Sequence, residues 1–100
     1  MKYSNVEWTI GQLMDLINCN RINLRPPYQR NFIWSPKDQK LLIESLHKGY
    51  PLPNFFILKN EDNTYEMVDG QQRAITIHKF INNEFPDLHK KYYREYAANS

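Results

Sequence analysis

The chain has 100 residues and a mass of 12.1 kDa, the size of one domain with one modest core. Thirteen Lys and Arg against 11 Asp and Glu leave a formal charge of +2, too small to mark a nucleic-acid binder and not enough to exclude one. No apolar run approaches the roughly 20 residues of a membrane span, the first residues lack the apolar stretch of a secretory leader, and the lone Cys19 forbids an internal disulfide or a cysteine-based zinc site. A reducing cytoplasm is the expected compartment.

In chain order, Thr9 and Gln12 have the spacing of a capping box, and Trp8 and Leu13 that of a hydrophobic staple. Ile10, Leu13, Leu16 and Ile17 then share one helical face, which fades at Asn18-Cys19-Asn20. Ile22-Asn23-Leu24 reads as a short extended piece ended by Pro26-Pro27. A second helix is predicted from Ser35 as cap, Pro36 at the first helical position and Asp38 near the positive helix start. Leu41, Leu42, Ser45 and Leu46 are its expected buried stripe, and Gly49 is placed to end it. Phe55-Phe56-Ile57-Leu58 and Thr64-Tyr65-Glu66-Met67-Val68 flank a polar turn and are expected to pair as a hairpin. A third helix follows Asp69-Gly70, with Ala74, Ile77 and Ile81 inward and Phe80 beside them. The Lys- and Tyr-rich stretch from Asp87 onward reads as a further helix with a weak apolar face, or as the start of another region. Helices alternating with few strands argue an α+β or α/β domain with helices against a small sheet.

The chemistry concentrates where strand meets helix, at Val68-Asp69-Gly70-Gln71-Gln72-Arg73-Ala74. A helix start offers unpaired N–H groups and a positive dipole end, together a ready anion site. Gly70 admits a ligand close to the backbone, Gln71 and Gln72 add amide donors, and Arg73 adds a planar cation suited to phosphate. The plainer alternative is that Asp69 caps the helix, Gln72 completes a capping box and Arg73 is a surface cation. A second loop, Pro27-Tyr28-Gln29-Arg30-Asn31-Phe32, carries Arg30 and Gln29 as further groups for the same anion, or is simply exposed. Glu44 flanks the stripe of the second helix, either paired with Arg30 or Arg73, close to a metal-bound ligand, or solvated. His47, His78 and His89 lack metal-ligand spacing. Lys90-Lys91-Tyr92-Tyr93-Arg94 interleaves cations with aromatics, a pattern that suits nucleic acid, a solvated helix, or a contact to another segment.

Four segments in this order make the chain resemble the N-terminal domain family of GmrSD-type restriction endonucleases, within the wider ParB/sulfiredoxin-like fold. They are Thr9-Ile10-Gly11-Gln12-Leu13, Tyr28-Gln29-Arg30-Asn31-Phe32-Ile33-Trp34-Ser35, Leu42-Ile43-Glu44-Ser45-Leu46 with Gly49-Tyr50-Pro51-Leu52-Pro53, and Val68-Asp69-Gly70-Gln71-Gln72-Arg73. The resemblance implies an α+β fold of a small sheet with three or four helices, over residues 1–86, with 87–100 as a tail or the start of a further region. It implies a domain that binds, and in some cases hydrolyses, a nucleoside triphosphate within a DNA-restriction and phage-defence protein of longer chain. Carried over by position, Gln29, Arg30, Gly70, Gln71, Gln72 and Arg73 would hold phosphates, with Asp69, Glu44 and Arg73 as the catalytic set and Glu44 and Asp69 organising Mg2+. Sulfiredoxin-type chemistry needs a cysteine in this turn, which has none. Full nuclease activity would need a domain this chain has no room for. The rival readings are a ParB-like DNA-binding or nicking module using the same loops, and a non-catalytic interaction domain.

Overall fold

The structure, a computed structural model, describes residues 2–24 and 33–97. In chain order these form β1 (Lys2–Val6), α1 (Ile10–Asn18), β2 (Ile22–Asn23), α2 (Pro36–His47), β3 (Phe55–Lys59), β4 (Tyr65–Asp69), α3 (Gln71–Ile81) and α4 (Tyr93–Ala97). The class is α+β: one four-stranded mixed sheet in the order β1-β3-β4-β2, with four helices.

The helix starts reflect the local chemistry. Thr9 and Ser35 each accept from the backbone N–H three residues on, and Gln12 and Asp38 return the bond to the cap residue, so α1 and α2 both open on complete capping boxes. β3 and β4 pair antiparallel as a hairpin. Its turn is held by Asn63 in the left-handed region (φ +66) and by Asp62, whose carboxylate accepts from the Thr64 N–H and hydroxyl. Those two bonds hold the exposed Asp62 carboxyl below its usual value.

Two features depart from the local patterns. β1 carries no apolar alternation, since four of its five residues are exposed. It is a strand because its backbone pairs with the distant β3, from Lys2↔Lys59 to Val6↔Phe55. In α2 the buried residue is Ile43, while Leu41 is 46% exposed. Ile43 lies one position beyond the Leu42 of the expected stripe, so the buried face is turned away from Leu41 by the angle at which α2 meets its neighbours.

Leu13, Met14, Ile22, Phe55, Ile57, Met67, Ala74 and Ile77 form the core between the sheet and the helices α1 and α3, and each large aliphatic or aromatic side chain buried there contributes about 1.5–3 kcal/mol. Helix α3 buries Ala74, Ile77 and Phe80, with Ile81 half-buried. Helices α2 and α3 run side by side in the same direction. The Trp34 N–H, just before α2, donates to Gln72 Oε1 at the start of α3. Near their other ends the His47 and Phe80 rings meet edge-on at 6.0 Å. The molecule thus has two distinct ends, one with the helix starts and one with the helix terminations and the 87–97 segment. Among the described residues no helix is long and apolar enough to cross a membrane.

Candidate functional site

The junction of β4 and α3 is built from three departures from regular structure. First, the register jumps between Phe56↔Asp69 and Ile57↔Met67, so β4 carries one extra residue just before its end. Such a bulge bends the strand and re-aims the residues after it. Second, Gly70 sits at φ +109, in the left-handed region. A Cβ there would lie 2.6 Å from Phe55 Cδ1 and 2.9 Å from Arg73 Nη2, so both the torsion and the space require glycine. Third, α3 has no side-chain cap hydrogen bond, unlike α1 and α2. Asp69 therefore does not cap the helix and Gln72 closes no capping box. The first N–H bonded within the helix is that of Ala74, to the Gly70 carbonyl at 3.0 Å. The main-chain N–H groups of Gln71, Gln72 and Arg73 have no partner inside the helix and lie at its positive end.

The side chains of the turn do three different things. Gln71 is buried and points back at the bulge, where its Nε2 donates to the Met67 carbonyl at 2.7 Å and the Val68 carbonyl at 3.3 Å. It braces the turn from inside. Gln72 is half-buried and accepts from the Trp34 N–H at 3.3 Å, tying the approach to α2 onto α3. Arg73 folds back over Gly70: its Nη2 donates to the Asn54 carbonyl at 2.7 Å and its guanidinium lies 5.3 Å from the centre of the Phe55 ring. Its Nε is buried and has no hydrogen-bond partner among the described residues. Asp69 is exposed. Asn54, Phe55 and Trp34 thus belong to the site although no local signal points to them, because Asn54 and Trp34 reach it from 19 and 38 residues away.

The other expected site residues are elsewhere. Gln29 and Arg30 lie outside the described residues. Glu44 sits about 12 Å along α2 from its start at 1.5 Å per residue, toward the opposite end of the molecule from the turn. Its Oε1 is 3.3 Å from His89 Nε2, within ion-pair reach but without hydrogen-bond alignment. The structure does not bring Glu44 and Asp69 together. Among the described residues no group of three His, Cys, Asp or Glu side chains could hold a metal ion.

At that opposite end lies a buried carboxylate to which the sequence patterns did not point. Asp87 is 1% exposed. It accepts from the Tyr96 hydroxyl, from His47 Nε2 at 3.2 Å, and from the His89 and Lys91 N–H groups at 2.8 and 3.0 Å. Burial pushes its carboxyl up, and these bonds outweigh burial and hold it below the usual carboxylate range. The same Asp87 hydrogen bond, with burial, pushes the Tyr96 phenol up to about 12. The one local clue was an acid two residues before a backbone N–H in a proline-led turn, the spacing of an Asx-turn.

The family model of the GmrSD restriction endonuclease N-terminal domain matches residues 13–100. No curated protein and no solved structure matches the chain.

Proposed function

The chain belongs to the family of GmrSD restriction endonuclease N-terminal domains, and from that premise we propose that it is the nucleoside-triphosphate-binding domain of a DNA-restriction and phage-defence protein, with a ParB-like fold. The observation that carries this reading is the uncapped start of α3 beside Arg73, whose buried Nε has no acceptor among the described residues. Phosphate oxygens supply acceptors both to that donor and to the main-chain N–H groups that lack a partner inside the helix.

In this reading the backbone of Gly70, Gln71, Gln72 and Arg73 cradles the phosphates, and the Arg73 guanidinium carries the counter-charge. The Gln71 side chain holds the turn's shape. The Gln72 side chain anchors Trp34. Arg30 and Gln29 are proposed as further phosphate contacts on the ground of the family resemblance alone. Asp69, exposed at the turn, is the carboxylate suited to magnesium, which takes one or two carboxylates and otherwise phosphate oxygens and water. Magnesium bound there supplies neutralisation of phosphate charge. Glu44 has no part in this site. Hydrolysis would be attack by water, with Arg73 and Arg30 stabilising the charge that develops on the phosphoryl oxygens.

The test is calorimetric titration with GTP, ATP, CTP and UTP plus magnesium, on the parent and on Arg73→Ala and Arg73→Lys. A charge-assisted hydrogen bond is worth about 1.5–3 kcal/mol, so Arg73→Ala is expected to weaken the bound nucleotide about 10- to 150-fold. Arg73→Lys, which keeps the charge but not the planar fork, falls between. Equal affinity in all three proteins, or no heat with any nucleotide at millimolar concentration, sinks the proposal. Release of inorganic phosphate decides whether binding leads to hydrolysis.

A further inference from the structure

The charge of this chain is unevenly placed. Residues 88–97 contain Lys90, Lys91 and Arg94 against Glu95, a net of +2, which is the formal charge of the whole protein. Everything outside this segment is balanced. The neighbouring acids are largely engaged. Asp87 is buried under four donors, Glu44 faces His89, and Glu95 Oε2 accepts from the Tyr92 N–H at 2.8 Å. Glu84 is exposed nearby.

The segment is also held in shape. The backbone of Lys91 bonds Asp87 in both directions, donating to its carboxylate and accepting from its N–H. The Arg94 N–H donates to Asn83 Oδ1 at the end of α3. None of these bonds uses the charged tips. Lys90, Lys91 and Arg94 are all exposed. Aromatic rings lie among them: Arg94 sits 4.6 Å from the centre of the Tyr92 ring, Lys91 Nζ is 5.9 Å from that of Tyr96, and Tyr93 is 36% exposed. Fixed cations interleaved with aromatic faces suit a nucleic-acid strand, the cations for its phosphates and the rings for its bases.

We infer that the 88–97 segment is a nucleic-acid-docking surface, separate from the 69–73 turn and at the opposite end of the paired helices. Three neutralised phosphates on a single strand give a salt slope of about −2.1, so affinity is expected to fall about 18-fold between 50 and 200 mM salt.

The experiment titrates a fluorescent 30-base-pair duplex and its single strand with the whole chain at both salt concentrations. It compares the parent with the triple variant Lys90→Gln/Lys91→Gln/Arg94→Gln. The three substituted side chains are exposed and their backbone bonds remain, and thermal unfolding confirms that the triple variant folds. The inference predicts a steep slope in the parent and a slope near zero with loss of binding in the triple variant. A triple variant that keeps the parent's affinity and slope overturns it. So does a parent that binds neither probe at 50 mM salt, or one captured by anionic lipid vesicles and not by nucleic acid.

Discussion

At the scale of single residues, Gly70 and Asp87 mark the two ends of the molecule. Gly70 combines a left-handed torsion with no room for a Cβ against Phe55 and Arg73. Strain of about 1–3 kcal/mol and overpacking of similar size together predict that Gly70→Ala lowers the unfolding free energy by about 2–6 kcal/mol, read by denaturant titration. An unchanged midpoint would contradict the crowding at this position. Asp87 makes a prediction in pH. Its carboxyl is held below the usual range, so its stabilisation is complete above the unfolded value of about 4 and is lost as pH falls through the lower folded value. Tyr96 behaves oppositely: its phenol is raised to about 12, so its contribution is complete below about 10 and is lost as pH climbs through 12. The stability gap between the parent and Asp87→Asn should therefore narrow in acid, and that to Tyr96→Phe should narrow in alkali. Flat gaps across both windows would show that these bonds do not form in solution. Gly70 and Arg73 stood out in the sequence because a glycine between a strand and a helix is a local signal. Asp87 did not, because two of its donors, His47 and Tyr96, lie 40 and 9 residues away.

At the scale of elements, the helix starts and the hairpin were legible and the buried face of α2 was not. Thr9, Gln12, Ser35 and Asp38 act within three residues of one another, so their spacing is sufficient evidence. Which side of α2 faces inward depends on how the helix crosses α3, and the alternatives differ by a small rotation. Leu41→Lys on the exposed side is expected to change stability by no more than about 0.5 kcal/mol. Ile43→Ala should cost about 2–5 kcal/mol. Equal losses in the two unfolding curves would return the stripe to Leu41. Helix α3 shows a different lesson. The same sequence supports a capped start and an uncapped one, and the Gly70 torsion together with the inward turn of Gln71 decides for the second.

At the scale of the whole molecule, the parallel packing of α2 and α3 sets the 69–73 turn and the Asp87 cluster at opposite ends. Sites that far apart with no shared partner usually act independently. Combining Arg73→Ala with Asp87→Asn should therefore give a stability loss equal to the two single losses within about 0.5 kcal/mol, measured by urea unfolding. A larger coupling would mean that the helix pair transmits strain from one end to the other. The sheet contributes in the same way: β3 lies between β1 and β4, and Phe55 at its start seats both Gly70 and Arg73. Packing of the core and shape of the turn thus share one side chain.

The sequence by itself determined the α+β class, the caps of α1 and α2, the hairpin, the glycine turn before α3 and the family to which the chain belongs. Each rests on signals a few residues long, or on the order of several such signals. Tertiary structure alone decided that β1 is a strand, that Ile43 and not Leu41 is buried, that Gln71 braces the turn from inside, that Arg73 rests on Asn54 and Phe55, and that Glu44 stays apart from Asp69. These outcomes depend on partners brought close only when the chain folds, and a sequence pattern carries no record of which distant backbone or side chain will meet a given polar group.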